Sequence, residues 1–185
     1  MANEPLRDRL VRAGIEVLEQ DGLAALTLRE IARRAGVSHG APRRYFPTHL
    51  ELLSAIARTG YARLTAEVAV DPDGDPRDQL LALGRAYLSF ARANPGMFGL
   101  MFRHDLLASG HLGLRDTALP LFAVLVDLIE RAGTRSTAPA AVVAGALWAN
   151  LHGIAQLWSW GSLQLAVGGD DPGALLRAAV DAHVA

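Results

Sequence analysis

Between Arg29 and Arg44 stand seven polar side chains that suit one chemistry: Arg29, Arg33, Arg34, Ser38, His39, Arg43 and Arg44. Guanidinium forks bind phosphate oxygens and the O6/N7 edge of guanine, and hydroxyl and imidazole groups add further donors. The same arginines would also serve as the solvated face of a small helical domain, and spacing alone leaves both readings open. A second set is Trp148, His152 and Gln156 at helical spacing, in a stretch with no charged residue from Ser136 to Gly169. Such a set offers a few polar atoms on apolar walls, although His152 could equally be a core histidine bonded to backbone. Catalytic patterns are missing. There is no cysteine, no nucleophile–base pair, no glycine-rich phosphate loop and no carboxylate pair at useful spacing. His104 and His111 are seven residues apart with no carboxylate at ligand spacing, so neither a metal nor a cofactor is expected.

The polar residues need short helices to hold them. Thr27 with Glu30 reads as a capping box opening a helix, and Leu28, Ile31 and Ala32 share its apolar face. Ala35-Gly36-Val37 breaks it, because Gly36 can adopt the left-handed turn conformation. Ser38 caps a second helix expected over 38–45, and Pro47 stops it. Thr48 with Glu51 caps a long third helix expected to reach about Val70. Two short helices around a glycine make a helix-turn-helix, and short helices must pack on neighbours to persist.

The stretch 27–53 closely resembles the DNA-binding domain of the tetracycline-repressor (TetR-like) family. Thr27, Arg29, Ile31, Ala32, Ala35, Gly36, Val37, Ser38, Gly40, Phe46 and Leu52 match its pattern without a gap. Two positions depart. Pro42-Arg43 stands where the family usually has a tyrosine, and His49 where it usually has a lysine. The resemblance implies an operator-binding set of Thr27, Arg29, Ser38, His39, Gly40, Ala41, Arg43, Arg44, Tyr45 and His49. Within it Arg29 would touch a base and Thr27 a phosphate, with His39, Ala41 and Arg44 on the reading face. His49 could hold a phosphate only weakly, or when protonated. The segment around Trp148, His152 and Gly153 is similar to the W-H-G signature of one C-terminal domain type of that family.

Bulk properties agree. The chain has 185 residues, 51% of them hydrophobic, and a formal charge of −1. Residues 1–64 hold ten arginines against seven acids, a net +3; the remainder holds eight against twelve, a net −4. The basic end is the end that would meet phosphate. No charged-then-apolar leader opens the sequence, which places the expected protein in the cytoplasm.

The expected fold is all-α with about nine helices. A DNA-binding domain would cover 1–47, and a ligand-binding and dimerisation domain 48–185. The helix over 48–70 would be the only covalent link between them. After an Asp71–Asp75 turn come helices expected over 76–93 and 96–102, then a loop over 104–113. Helices over 114–132, with Pro120 inside, and about 139–160 follow, and a last one begins at Asp171-Pro172. The uncharged helix over 139–160 is interrupted by Asn150, His152 and Gln156, so no membrane span is expected. Its all-round apolarity instead calls for burial by a second subunit. Leu147, Leu151, Leu157, Trp158 and Leu175 are the expected homodimer contacts. A pocket for a small, mainly apolar effector is expected among Tyr87, Phe90, Phe98, Met101, Phe102, Trp148, His152 and Gln156. Plain core packing of the Met and Phe residues is the competing reading.

Overall fold

A computed structural model of the chain describes residues 4–68, 71 and 73–184. Among these it is all-α: α1 Leu6–Asp21, α2 Leu28–Arg34, α3 His49–Glu67, α4 Pro76–Ala93, α5 Pro95–Met101, α6 His104–Ser109, α7 Leu114–Ala132, α8 Ala140–Ser159, α9 Ser162–Val167 and α10 Gly173–His183. Single 3-10 turns cover Leu23–Ala25, Pro42–Arg44 and His111–Gly113. The expected end of the third helix at Ala69 and Val70 lies outside the described residues, as does Pro72 of the turn. Two short helices, α6 and α9, were not expected. α6 occupies the stretch read as a loop, and it ends at Gly110 with a left-handed φ of 66°.

The chain forms two compact units. The first is residues 1–63 with 94–118; the second is 64–93 with 119–185. This divides the sequence differently from a single cut at residue 47. The chain passes between the units three times: within α3, between α4 and α5, and within α7. The long helix is therefore not the only covalent link.

In the first unit the apolar stripe of α1, Leu10, Ala13, Val17 and Leu18, is buried with Ile31 and Ala32 of α2 and Leu52, Leu53 and Ile56 of α3. A β-carbon on Gly14 would collide with the Ile56 side chain, so α1 and α3 approach where glycine leaves room. α5 completes this core with Met97, Phe98, Leu100 and Met101. The buried Tyr61 hydroxyl donates to the Met101 carbonyl at 2.9 Å, and burial raises its pKa.

In the second unit α4, α8 and α10 pack together. Leu80, Leu83 and Phe90 of α4, Val143, Leu147 and Leu151 of α8, and Leu176 and Val180 of α10 form the core. Asp75 caps α4 by accepting from the Asp78 amide at 2.9 Å, and Arg77 pairs with Asp181 of α10. α8 is long and apolar enough to cross a membrane by length and composition, yet only 28% of that window is buried. Trp148 and Leu157 are each 39% exposed, and Trp160 just beyond the helix is 70% exposed.

Candidate nucleic-acid interface

Thr27 caps α2 as expected, its Oγ1 accepting from the Glu30 amide at 3.2 Å. The reciprocal half of the capping box is not made. Glu30 instead takes both arms of Arg33, at 2.8 and 2.5 Å, because a charged fork at i+3 is a stronger partner than a neutral amide. Gly36 then turns the chain with φ of 68°.

The reading segment is not an α-helix over 38–45. It winds by i+3 bonds, Ala41 N to Ser38 O at 3.0 Å and Tyr45 N to Pro42 O at 3.0 Å, with one 3-10 turn over Pro42–Arg44. Pro42 accounts for this. It has no amide to offer the Ser38 carbonyl, so Ala41 takes that acceptor and the segment tightens.

So short a segment cannot hold itself, and its neighbours brace it. Arg9 of α1 donates to the Ala35 carbonyl at 2.7 Å, at the end of α2. The Arg7 guanidinium lies 5.0 Å over the ring of Phe46, which is fully buried and closes the segment. Arg34 ties α2 to the end of α1 through Gln20 at 2.7 Å and Asp21 at 2.6 Å. Nothing local in the sequence marks Arg7 and Arg9 as braces. Their partners lie many positions away, so no local spacing could have flagged the braces.

His49 corrects another expectation. Its Nε2 lies 3.0 Å from the Leu26 carbonyl, which can only accept, so the ring donates there. Burial lowers its pKa by more than the Leu26 hydrogen bond raises it, with Arg103 adding to the lowering, which suits a brace better than a phosphate cation.

The arginines of residues 1–64 sort cleanly. Arg7, Arg9, Arg12, Arg33, Arg34 and Arg63 are engaged with the protein itself. Among the described residues Arg29, Arg43, Arg44 and Arg58 have no such partner. Arg29, Arg43 and Arg44 are exposed on α2 and the reading segment, with Ser38, His39, Gly40 and Tyr45 exposed beside them and Ala41 half-buried. This is a surface with three free guanidinium forks on a braced scaffold.

The expected effector set falls in both units. Phe98, Met101 and Phe102 belong to the first, where the Phe98 and Phe102 rings meet at 4.9 Å and Met101 is fully buried. Phe98 and Met101 are core there, and Phe102 is half-buried beside them. Tyr87, Phe90, Trp148, His152 and Gln156 belong to the second. There the Tyr87 hydroxyl shares a hydrogen bond of 2.8 Å with His152 Nδ1 and accepts from Trp148 Nε1 at 3.3 Å. The Phe122 ring meets Trp148 edge-on at 6.3 Å. Half-burial lowers the pKa of His152. Phe90 is buried core.

The expected dimer set also divides. Leu147 and Leu151 are each 1% exposed and belong to the second unit's own core, so they cannot meet another subunit. They lie on the α8 face that packs against α4 and α10; Leu157 is exposed, and Trp158 and Leu175 are half-buried.

A helical fold with a braced, arginine-bearing helix-turn-helix defines a DNA-binding transcriptional regulator. The family described as bacterial regulatory proteins, tetR family, matches residues 10–56, and the tetracyclin repressor-like C-terminal domain matches residues 80–183. The chain belongs to the tetracycline-repressor family, whose members are DNA-binding regulators and not enzymes. It is 38% identical over 84 residues to the HTH-type transcriptional regulator BetI of Stenotrophomonas maltophilia (strain R551-3), covering 43% of each chain. The chain spans about half the length of the curated relatives it matches. Among solved structures it is similar to a protein of unknown function from Rhodococcus sp. RHA1, at 31% identity and a TM-score of 0.79, covering 97% of this chain and 94% of that one. It is also similar to the multidrug binding protein EbrR complexed with imidazole, at 25% identity and a TM-score of 0.61, with the same coverage.

Proposed function

We propose that this regulator is a ligand-responsive repressor that binds a palindromic operator as a homodimer and works in the cytoplasm. Arg29 and Arg44, with His39 and Ala41, read the major groove, while Thr27, Ser38, Gly40, Arg43 and Tyr45 hold the phosphate backbone. The observation that carries ligand response is the hydrogen-bonded cluster of buried Tyr87 of α4 with half-buried His152 and partly exposed Trp148 of the uncharged helix α8. Such a cluster orients one or two polar atoms of a mainly apolar molecule. No arginine stands in the set Tyr87, Phe90, Trp148, His152 and Gln156, which favours a neutral or weakly polar effector. The relative EbrR, a multidrug binding protein complexed with imidazole, is consistent with this chemistry.

The homodimer is supported by the bare flank of α8 and by α9, where Leu165 is 91% and Val167 56% exposed. Paired subunits place two reading segments in major grooves one turn apart, about 34–36 Å. Effector bound in the second unit shifts the population toward a state in which that spacing is lost. The links available to carry the shift are α3, the α4–α5 junction and α7. Coupling of this kind amounts to about 1–3 kcal/mol, or about 5- to 150-fold in operator affinity.

Reciprocity supplies the experiment. Candidate effectors that release the protein from operator in a gel shift are titrated into free protein and into the protein–operator complex. The operator-bound form should bind effector more weakly by the same factor by which effector weakens operator binding. Equal affinities in both titrations would leave a ligand-independent DNA-binding protein as the reading.

A further inference from the structure

The winding of the reading segment decides where its side chains point. Two i+3 bonds join Ser38, Ala41 and Arg44 in a chain: Ala41 N donates to the Ser38 carbonyl at 3.0 Å, and Arg44 N to the Ala41 carbonyl at 3.2 Å. Residues three apart eclipse in such a winding, which therefore has three edges. His39 and Tyr45 share theirs with buried Pro42, and Gly40 and Arg43 share theirs with buried Phe46. Exposed Ser38, half-buried Ala41 and exposed Arg44 form the edge with no buried member. Each step along that edge rises about 6 Å, close to two base-pair steps of about 3.4 Å. On an α-helix three residues turn about 300° and rise about 4.5 Å, so Arg44 would lie about 60° off the edge.

Pro42 keeps the segment from that second geometry. An amide at position 42 would donate to the Ser38 carbonyl four residues back, and proline has none to give. Its ring is buried, so Pro42 does not itself meet DNA. We propose that Pro42 is a specificity-determining positioning residue: it holds Arg44 on the outward edge with Ser38 and Ala41, and thereby sets which base pair of each half-site Arg44 reads. This rests on the proposed base contact of Arg44 and adds the residue that fixes its register.

The experiment selects operators from a pool with randomised half-sites and reads the base preference at each position. Arg44→Ala marks the position that Arg44 reads, through the loss of a preference of about 5- to 150-fold. In Pro42→Ala that preference should fall by about fivefold or more at the marked position. Preferences elsewhere, that of Arg29 among them, should stay, because α2 precedes the Gly36 turn and is held separately by Arg9, Arg34 and His49. Pro42→Val, which fills more of the buried site and also brings an N–H, should do the same. Lactic acid placed at position 42 by in vitro translation has the side chain of alanine but no N–H, and should restore the wild-type preference. Relaxation at every position would reduce Pro42 to a residue that merely keeps the domain folded. An unchanged preference at the marked position, or no restoration by lactic acid, would equally overturn the proposal. Uniform weakening by Arg44→Ala is the distinct result that removes the base contact itself, and the role of Pro42 with it.

Discussion

The reading segment over 38–46 and helix α8 are opposites. The first is irregular backbone, tightened by a proline and closed by Phe46 under Arg7 of α1, while Arg9 of α1 and His49 of α3 pin the Ala35 and Leu26 carbonyls at the two ends of the adjoining α2. The second is a regular helix of 20 residues that needs no such help, yet much of its apolar surface is bare. A polar recognition surface is made here by bracing weak backbone from outside. An apolar one is made by leaving strong backbone uncovered. The difference teaches where substitutions should act: through neighbours at the reading segment, and by face at α8.

The largest effect should separate the two faces of α8. Leu151→Arg places a charge in the second unit's core and should cost about 3–5 kcal/mol in denaturant unfolding. Leu157→Arg, on the exposed flank, should leave chain stability within about 0.5 kcal/mol once association is accounted for. It should nonetheless turn dimers into monomers by light scattering. If both variants unfold alike, the two-face picture of α8 fails.

At the reading segment, Arg44→Ala should cost about 1–3 kcal/mol of discrimination at one position of each half-site, measured on operators varied base by base. Uniform weakening across all sequences would make Arg44 a phosphate contact instead. Arg33→Ala is the internal contrast. Its guanidinium is committed to Glu30, so operator affinity should change by less than about 0.5 kcal/mol.

Ser54 of α3 tests bracing from the other direction. It is fully buried, and among the described residues its Oγ has no hydrogen-bond partner. Ser54→Ala should therefore stabilise the first unit by about 1 kcal/mol in urea melts. A loss of stability would show that the hydroxyl has a partner in solution.

The smallest effect is in pH. His49 and His152 both titrate below the ordinary histidine value because burial disfavours their charged forms. The unfolded chain then takes up protons first as pH falls below about 6.5. Stability should be full above that pH and decline toward the depressed folded values, then level off. His152→Gln should flatten part of that decline for the second unit, and His49→Gln part of it for the first. A stability profile that rises on acidification through this range would contradict neutral histidines at both places.

Much of this architecture was legible in the chain. Cap residues, glycine breaks and apolar periodicity are local signals, so Thr27, Gly36, Thr48 and Asp75 mark helix ends correctly, and the spacing of Ile31 and Ala32 predicts the buried face of α2. The helix-turn-helix was legible for the same reason: its pattern lies within one short run of sequence. Tertiary structure alone decided which polar groups are spent and which are free. Arg9 meets Ala35, Arg7 meets Phe46 and Tyr87 meets His152 across separations that carry no periodic signal. It also decided that α5 joins the first unit, which took Phe98 and Met101 out of the expected effector set, and that Leu147 and Leu151 face inward while Leu157 does not. An all-round apolar helix such as α8 has no polar stripe to mark its outer face, so only the helices packed on it determine which side is buried.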